Sequence, residues 1–247
     1  MKISIITITY NSESTLEQTI QSVVNQSYPD IEYIIVDGKS NDNSLNIIEK
    51  YKSHITSIVS EKDAGLYDAL NKGIELATGE VIGFLHSDDF YINNQVIQKY
   101  ANTFLKTQCD AVYSDLYYVD RTNTDSIIRK WKSGKYHPTS FKNGWMPPHP
   151  TFFVKKEMYS KYGKFNLDFK SAADYELMLR FILKHKIKIA YLPEYTINMR
   201  VGGKSNLTLK NRVFANLEDR LAWKKNGLKP RFYTLYLKPL RKLLQFF

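Results

Sequence analysis

The run Val81-Ile82-Gly83-Phe84-Leu85-His86-Ser87-Asp88-Asp89 decides how the chain is read. Its first five residues are nearly all apolar, which suits a strand buried on both faces. It then breaks abruptly into His86-Ser87-Asp88-Asp89. A buried strand that ends in polar and acidic residues is the signature of an α/β sheet with a site at its strand ends.

Working outward, the same alternation recurs. Before Val81 a helix is expected over about 66–77, with Leu66, Leu70 and Ile74 in register and Gly79 as its stop. A short strand over 55–59 precedes it. Earlier still, Ile31 to Val36 is a strand closed by Asp37-Gly38, and Asp42 or Ser44 can cap a helix carrying Leu45, Ile48 and Tyr51. The chain opens with the β-branched strand Ile3 to Thr9. Ser14 and Glu17 then stand at capping-box spacing before the apolar stripe Leu16, Ile20, Val23 and Val24. Beyond Asp89, a helix over about 94–105 leads to Ala111-Val112-Tyr113. Four β–α units with apolar strands predict a Rossmann-like, mostly parallel sheet flanked by helices.

Past Asp115 the rhythm changes. Tyr117 to Trp131 reads as an antiparallel excursion, and 132–148 as a loop-rich stretch holding Trp145 and Met146. Thr151 to Val154 is a strand, Ala173 to Leu183 a helix, and Ile187 to Leu192 a strand. Asn206 to Lys225 forms a long helix with Leu209, Val213, Leu217 and Leu221 in register. We therefore expect an α/β domain over 1–220, made of a ligand-binding half (1–115) and a second half (116–220), followed by an extension over 221–247.

With 247 residues, 43% hydrophobic and 24% charged, the chain has the composition of an ordinary globular protein. One cysteine, Cys109, excludes an internal disulfide and a cysteine zinc cluster. The N-terminus reads as a strand rather than a signal peptide, and no apolar run is long enough to span a bilayer, so a cytoplasmic protein is expected. The net charge of +10 suits an anionic partner. Eight of the basic residues, and no acid, fall between Arg220 and Phe247.

The strand ends carry Thr9-Tyr10-Asn11, Asp37-Gly38, Asp63 and Ser87-Asp88-Asp89. Adjacent acids after a buried strand repel one another, and a cation relieves that repulsion. Oxygen ligands favour Mg²⁺ or Mn²⁺, which can also hold phosphates and offset charge on a departing diphosphate. Alternatively, Asp89 caps the following turn and Asp37-Gly38 is an ordinary turn. Asp37 is otherwise placed to accept hydrogen bonds from a base or ribose. Lys72, four residues after Asp68, either pairs with it on a helix surface or faces a phosphate. The motifs G-x-G-x-x-G, G-x-x-x-x-G-K-[ST] and G-x-S-x-G are all absent, which argues against dinucleotide, P-loop and serine-hydrolase chemistry.

These residues resemble the GT-A glycosyltransferases of family 2, of the kind that assembles bacterial capsule, exopolysaccharide and lipopolysaccharide O-antigen. The resemblance rests on Ile5 to Asn11, Ser27 to Gly38, Ser40-Asn41-Asp42 with Ser44, Glu61 to Gly73, Gly79-Glu80 and Ser87-Asp88-Asp89, and covers about residues 1–115. It implies a nucleotide-sugar site at Thr9, Tyr10, Asn11, Asp37, Asp63, Lys72 and Ser87, with Mn²⁺ or Mg²⁺ at Asp88 and Asp89 nearby. The family's D-x-D aligns with His86-Ser87-Asp88, so histidine replaces the first acid where many relatives carry asparagine. In the second half, Pro148 to Phe153 and Ala172 to Arg180 match further family elements, and Gly202-Gly203-Lys204-Ser205 matches a glycine-containing loop.

The catalytic base of the resemblance falls on Asp174, with Ala173 where a second acid is common and Glu176 as the substitute. Independently, taking a proton from a sugar hydroxyl calls for a nearby carboxylate, and Asp174 sits at the first turn of its helix, where an N-cap or ordinary first-turn acid would look the same. The resemblance implies inverting transfer from a nucleotide-sugar, with a UDP-linked sugar as the default. Trp145, Met146 and His149 are candidates to line an acceptor site. The acceptor implied is a saccharide or lipid-linked saccharide.

The tail interleaves Lys and Arg with Trp223, Phe232, Tyr236, Leu243, Phe246 and Phe247. This suits an anionic membrane surface on the cytoplasmic face of the inner membrane. The alternative is a helix docked on the domain or on a second subunit, as in a homodimer. Nucleic acid is not expected, because the tail has no reading motif and the strand-end acids oppose a phosphate backbone. A nucleotidyltransferase would carry a basic, glycine-rich loop after the first strand, and Thr9-Tyr10-Asn11-Ser12 stands there instead. A catalytically inactive nucleotide-sugar-binding regulatory or scaffold protein is the other reading.

Overall fold

The computed structural model describes residues 1–202, 209–243 and 245. Its first strand, β1 (Ile3–Thr9), is buried along its whole length and lies parallel between β2 (Ile31–Asp37) and β4 (Val81–Phe84). The short β3 (Ser57–Ser60) extends the parallel sheet beyond β2. The whole sheet runs β3-β2-β1-β4-β8-β6-β9-β5, with β7 (Ile127–Trp131) paired to β6 (Ala111–Val119). The mostly parallel α/β architecture expected from the sequence is thus present, with antiparallel additions beyond β4.

Helices cover both faces. Leu16, Ile20 and Val23 of α1 (Leu16–Val24), Ile47 of α2 (Ser44–Lys50) and Ile97 and Phe104 of α4 (Val96–Thr107) pack with Ile5 and Tyr33. On the other face, Leu70 and Ile74 of α3 (Leu66–Leu76) pack with Ile6 and Ile34. The expected capping box does not form. Glu17 instead accepts from the Tyr51 hydroxyl at 3.2 Å, and no side chain caps α1.

Gly83 shows why a glycine interrupts the apolar run. The strand β8 (Phe153–Lys155) enters antiparallel beside β4, and a Cβ at Gly83 would lie 2.3 Å from the Phe153 ring. That ring also stacks on Tyr100 at 3.9 Å. The expected antiparallel excursion is the β6–β7 hairpin, with Leu116 opposite Trp131.

Three elements escaped the sequence reading. The strand β9 continues from Ile189 to Arg200 instead of stopping near Leu192. Pro193 sits where the β6–β9 register skips, a bulge that tolerates its missing N–H. The three-residue β5 (Asp89–Tyr91) pairs with the end of β9, and α5 (Lys156–Tyr162) follows β8 directly. The helix expected over 173–183 is α6 (Ala173–Met178) followed by a π-helical turn at Leu179–Lys184.

The C-terminal part is α7 (Leu209–Lys225) and α8 (Thr234–Leu243). The boundary drawn at 220/221 falls inside α7. Leu217, expected in a buried stripe, is 57% exposed, whereas Ala222 and Trp223 are buried in the core. The side chains of Leu209 and Val213 and the segment 203–208 lie outside the described residues.

Candidate active site

The carboxyl ends of β1 and β4 open into a cleft of about 1060 Å³, which α3 and α6 also line. Thr9, Tyr10, Asn11, Gly38 and Asp63 form one part of its wall, and Ser87 and Asp88 another. Thr9 is 5% exposed, and its hydroxyl has no partner among the described residues. Asn11 adopts φ +50, takes the Asn41 N–H at 2.9 Å on its side chain, and donates its own N–H to Ser40 Oγ at 2.8 Å. The Ser87 hydroxyl donates to Ser12 Oγ at 2.9 Å. The loops after β1, β2 and β4 are thereby tied into one rim. Gly38 is needed there, because a Cβ would stand 2.8 Å from the Asp63 carboxylate.

Asp37 and Lys72 are not brought into this cleft. Asp37 is fully buried, and its carboxylate accepts from Ser40 N at 3.0 Å, Ser40 Oγ at 2.5 Å and Ser60 Oγ at 2.6 Å. Three donors, two of them hydroxyls, hold it inside the fold. The Lys72 ammonium lies 2.8 Å from Asp63, 2.8 Å from Glu61 and 3.3 Å from Asp68. Its bond to Asp63, reinforced by Glu61, raises its pKa. Lys72 therefore holds Asp63 in place. Among the described residues, the cations that line the cleft are Lys62, Arg121 and Lys170, none of which was a site candidate from the sequence.

Asp88 and Asp89 separate. Asp88 lines the cleft, and among the described residues no side chain donates a hydrogen bond to its carboxylate. Its main-chain oxygen is held by Arg200 at 2.7 Å. Asp89 opens β5, is fully buried and faces away from the cleft with both carboxylate oxygens unpartnered among the described residues. Burial, with the Asp88 charge adding to it, pushes its pKa well above the usual carboxylate range. Among the described residues no three His, Cys, Asp or Glu side chains are grouped to hold a metal. A single open carboxylate suits a hard cation that takes its other oxygens from substrate phosphate and water.

Asp174 stands on the other side of the same cleft at the first turn of α6. Tyr67 Oη donates to its Oδ1 at 3.3 Å, and His149 Nδ1 lies 3.5 Å from its Oδ2. His149 Nε2 in turn lies 3.2 Å from His86 Nε2. The surrounding protein lowers the pKa of both histidines, to about 3 for His86, with Asp174 and Asp88 opposing the shift at His149.

Ala173 is fully buried, which accounts for the absence of an acid there. Glu176 is 3% exposed and is no substitute base. It binds Arg180 Nε at 3.0 Å and Nη2 at 2.9 Å, and accepts from Asn226 Nδ2 at 3.0 Å. Arg180 also donates to the carbonyls of Tyr162, Gly163 and Lys164, closing the end of α5. Trp145 packs in the core with Nε1 on the Ser133 carbonyl at 2.7 Å, so it does not line the cleft, and Met146 packs against the same core. His149 and Gly202 do line it.

The sequence and fold have known counterparts. A model described as "Glycosyl transferase family 2" matches residues 4–163. An uncharacterized glycosyltransferase of Mycobacterium tuberculosis is 32% identical over 192 residues, spanning 73% of this chain and 69% of the relative. A PGL/p-HBAD biosynthesis glycosyltransferase of Mycobacterium bovis is 27% identical over 215 residues, 85% of this chain and 81% of that one. In fold, the chain is similar to S. aureus TarS 1–349 in complex with UDP-GlcNAc (TM-score 0.69, 19% identity, 93% of this chain and 68% of that one). It is also similar to the mannosyltransferase PcManGT from Pyrobaculum calidifontis in complex with GDP-Man and Mn²⁺ (TM-score 0.70, 17% identity, 98% and 69%). With these matches added to the GT-A architecture and its strand-end cleft, the chain belongs to glycosyl transferase family 2.

Proposed function

We propose that the chain is an inverting, divalent-metal-assisted glycosyltransferase that moves a sugar from a nucleoside diphosphate, UDP by default, to a saccharide or lipid-linked saccharide. The observation that carries this reading is the placing of Asp88 and Asp174 on one cleft, the first with an open carboxylate and the second with Tyr67 donating to one oxygen and His149 3.5 Å from the other. Thr9, Tyr10, Asn11 and Asp63 receive the nucleoside, and Ser87 and Asp88 face the diphosphate. Asp88 would hold Mn²⁺ or Mg²⁺. When bound, that ion offsets charge on the leaving diphosphate. Asp174 takes the proton of the acceptor hydroxyl as its oxygen bonds to the anomeric carbon, and the bond from that carbon to the diphosphate oxygen breaks on the opposite face.

A panel of UDP-, GDP- and dTDP-sugars with Mn²⁺ or Mg²⁺, read by thermal stabilisation and donor hydrolysis, tests the donor side. Asp88→Ala should abolish metal-dependent hydrolysis. Asp174→Asn should lower transfer by about 10²–10⁴-fold while donor still stabilises the protein. Transfer by Asp174→Asn at the wild-type rate would sink the assignment of the base.

The tail supports contact with an anionic membrane in surface-polysaccharide synthesis. Trp223 and Leu235 are buried, yet Phe232, Tyr236 and Leu240 recur at four-residue spacing and are 90%, 61% and 54% exposed. Exposed Lys229, Arg231 and Arg241 flank them. Among the described residues no helix is long and apolar enough to cross a membrane. Replacing Phe232, Tyr236 and Leu240 with serine should abolish salt-sensitive binding to anionic vesicles and leave the core intact. Unchanged binding would reject the membrane reading.

A further inference from the structure

We propose that His149 is the positioning residue of the base and that His86 fixes its tautomer, so that the end of β4 aims Asp174 through one line of polar contacts. This rests on Asp174 being the base. The line begins at the donor motif, where His86 replaces the family's first acid. It ends at the Asp174 carboxylate on the opposite wall.

The geometry dictates the direction of the line. Two N–H groups cannot face each other at 3.2 Å, so of the two Nε2 atoms one donates and the other carries a lone pair. The other nitrogen of His149 lies 3.5 Å from the Asp174 carboxylate, whose negative charge favours the His149 proton on Nδ1. His149 Nε2 is then the acceptor, and His86 Nε2–H the donor. Tyr67 donates to Oδ1 while His149 faces Oδ2, so the plane of the carboxylate is set from both sides.

The turn that presents His149 is itself pinned. His149–Thr151 is a 3-10 turn with a proline inside it, and Thr151 is fully buried. The Thr151 hydroxyl donates to the Ser114 or Pro148 carbonyl and accepts the Ser114 N–H, and its carbonyl accepts from Tyr100 Oη at 2.9 Å. A ring held this firmly can orient its neighbour.

The line explains why histidine suits position 86. An asparagine there still offers an N–H to His149 Nε2. An aspartate offers only acceptors, and it would draw the His149 proton to Nε2 and away from Asp174. Restoring the family's acid should therefore harm this chain.

The full-length protein labelled with ¹⁵N-histidine, read by long-range ¹H–¹⁵N correlation, reports each tautomer without any ligand. Variants at 86 and 149 assign the signals. His149 should carry its proton on Nδ1 and His86 on Nε2, and His86→Asp should move the His149 proton to Nε2. Kinetics with the donor found by the nucleotide-sugar panel give the second readout. His149→Gln and His86→Asp should lower kcat about 10–100-fold with donor KM within about twofold. His149→Asn, which keeps a donor where Nδ1 stood, and His86→Asn should recover most of that loss. A His149 proton on Nε2 in the wild type, or equal kcat for His149→Gln and His149→Asn, overturns the proposal. If Asp174→Asn itself transfers normally, the base assignment has failed and the positioning role fails with it. If Asp174→Asn is inactive while His149→Gln is not, only the positioning role is lost.

Discussion

The two walls of the cleft are built in different ways. The wall proposed for the donor hangs on β1, β2 and β4, three parallel strands whose register is fixed over several residues each. The wall proposed for the acceptor hangs on a 3-10 turn, a six-residue helix and a π-helical turn. The first is held by buried apolar strands, the second by buried polar groups such as Thr151 and the Glu176–Arg180 pair. Strands place a ligand site wherever they end; a wall made of turns needs specific bonds to hold its shape.

The comparison is sharpest where one bond is removed. Arg180→Ala leaves Glu176 buried without its cation and frees three carbonyls at the end of α5. The expected loss is about 3–5 kcal/mol, read by denaturant unfolding. An effect below about 1 kcal/mol would show that the acceptor wall does not depend on this pair.

The donor wall has its own buried acid, at the opposite ends of the strands. Glu32 is 3% exposed and accepts from Lys2, Ser4 and Thr78, which together outweigh its desolvation and lower its pKa to about 2. Because the folded pKa lies below the unfolded value, the stability it supplies is present above about pH 4.5 and is lost as pH falls through about 2. Glu32→Gln should therefore be less stable than wild type at pH 7, by roughly 3 kcal/mol, with the gap closing towards pH 2. A gap independent of pH would mean that packing, not charge, is what Glu32 contributes.

Smaller losses are expected where the strands themselves are crowded. Gly83→Ala drives a methyl into the Phe153 ring and should cost about 1–3 kcal/mol, with little effect on donor affinity. Gly38→Ala should instead weaken donor-dependent thermal stabilisation, since the methyl meets Asp63 on the cleft rim. If both glycines altered stability alone, the rim would not be part of the donor site.

The same contrast governs what could be read from the sequence. The parallel strands were legible to within a few residues, because apolar runs of that length have few other uses. Asp63, Asp88 and Asp174 were found and do line the cleft. Asp37, Lys72 and Asp89 were found too, but their side chains turn elsewhere: a strand-end position does not say which way a side chain faces. Ser60, Glu61 and Arg200 decide that, and they come from other segments. The His86–His149 contact joins residues 63 positions apart, with no periodic signal to announce it. Arg121 reaches the cleft from a hairpin turn, where charge is ordinary.

The hydrogen bonds from Trp223 to Tyr175 at 3.0 Å and from Asn226 to Glu176 have a consequence for modularity. Both partners sit on α6, immediately after Asp174. The C-terminal segment is therefore not an interchangeable appendage to a finished domain. A chimera that borrows the tail of a relative must also carry matching residues at 175 and 176, or the helix that presents Asp174 is loosened.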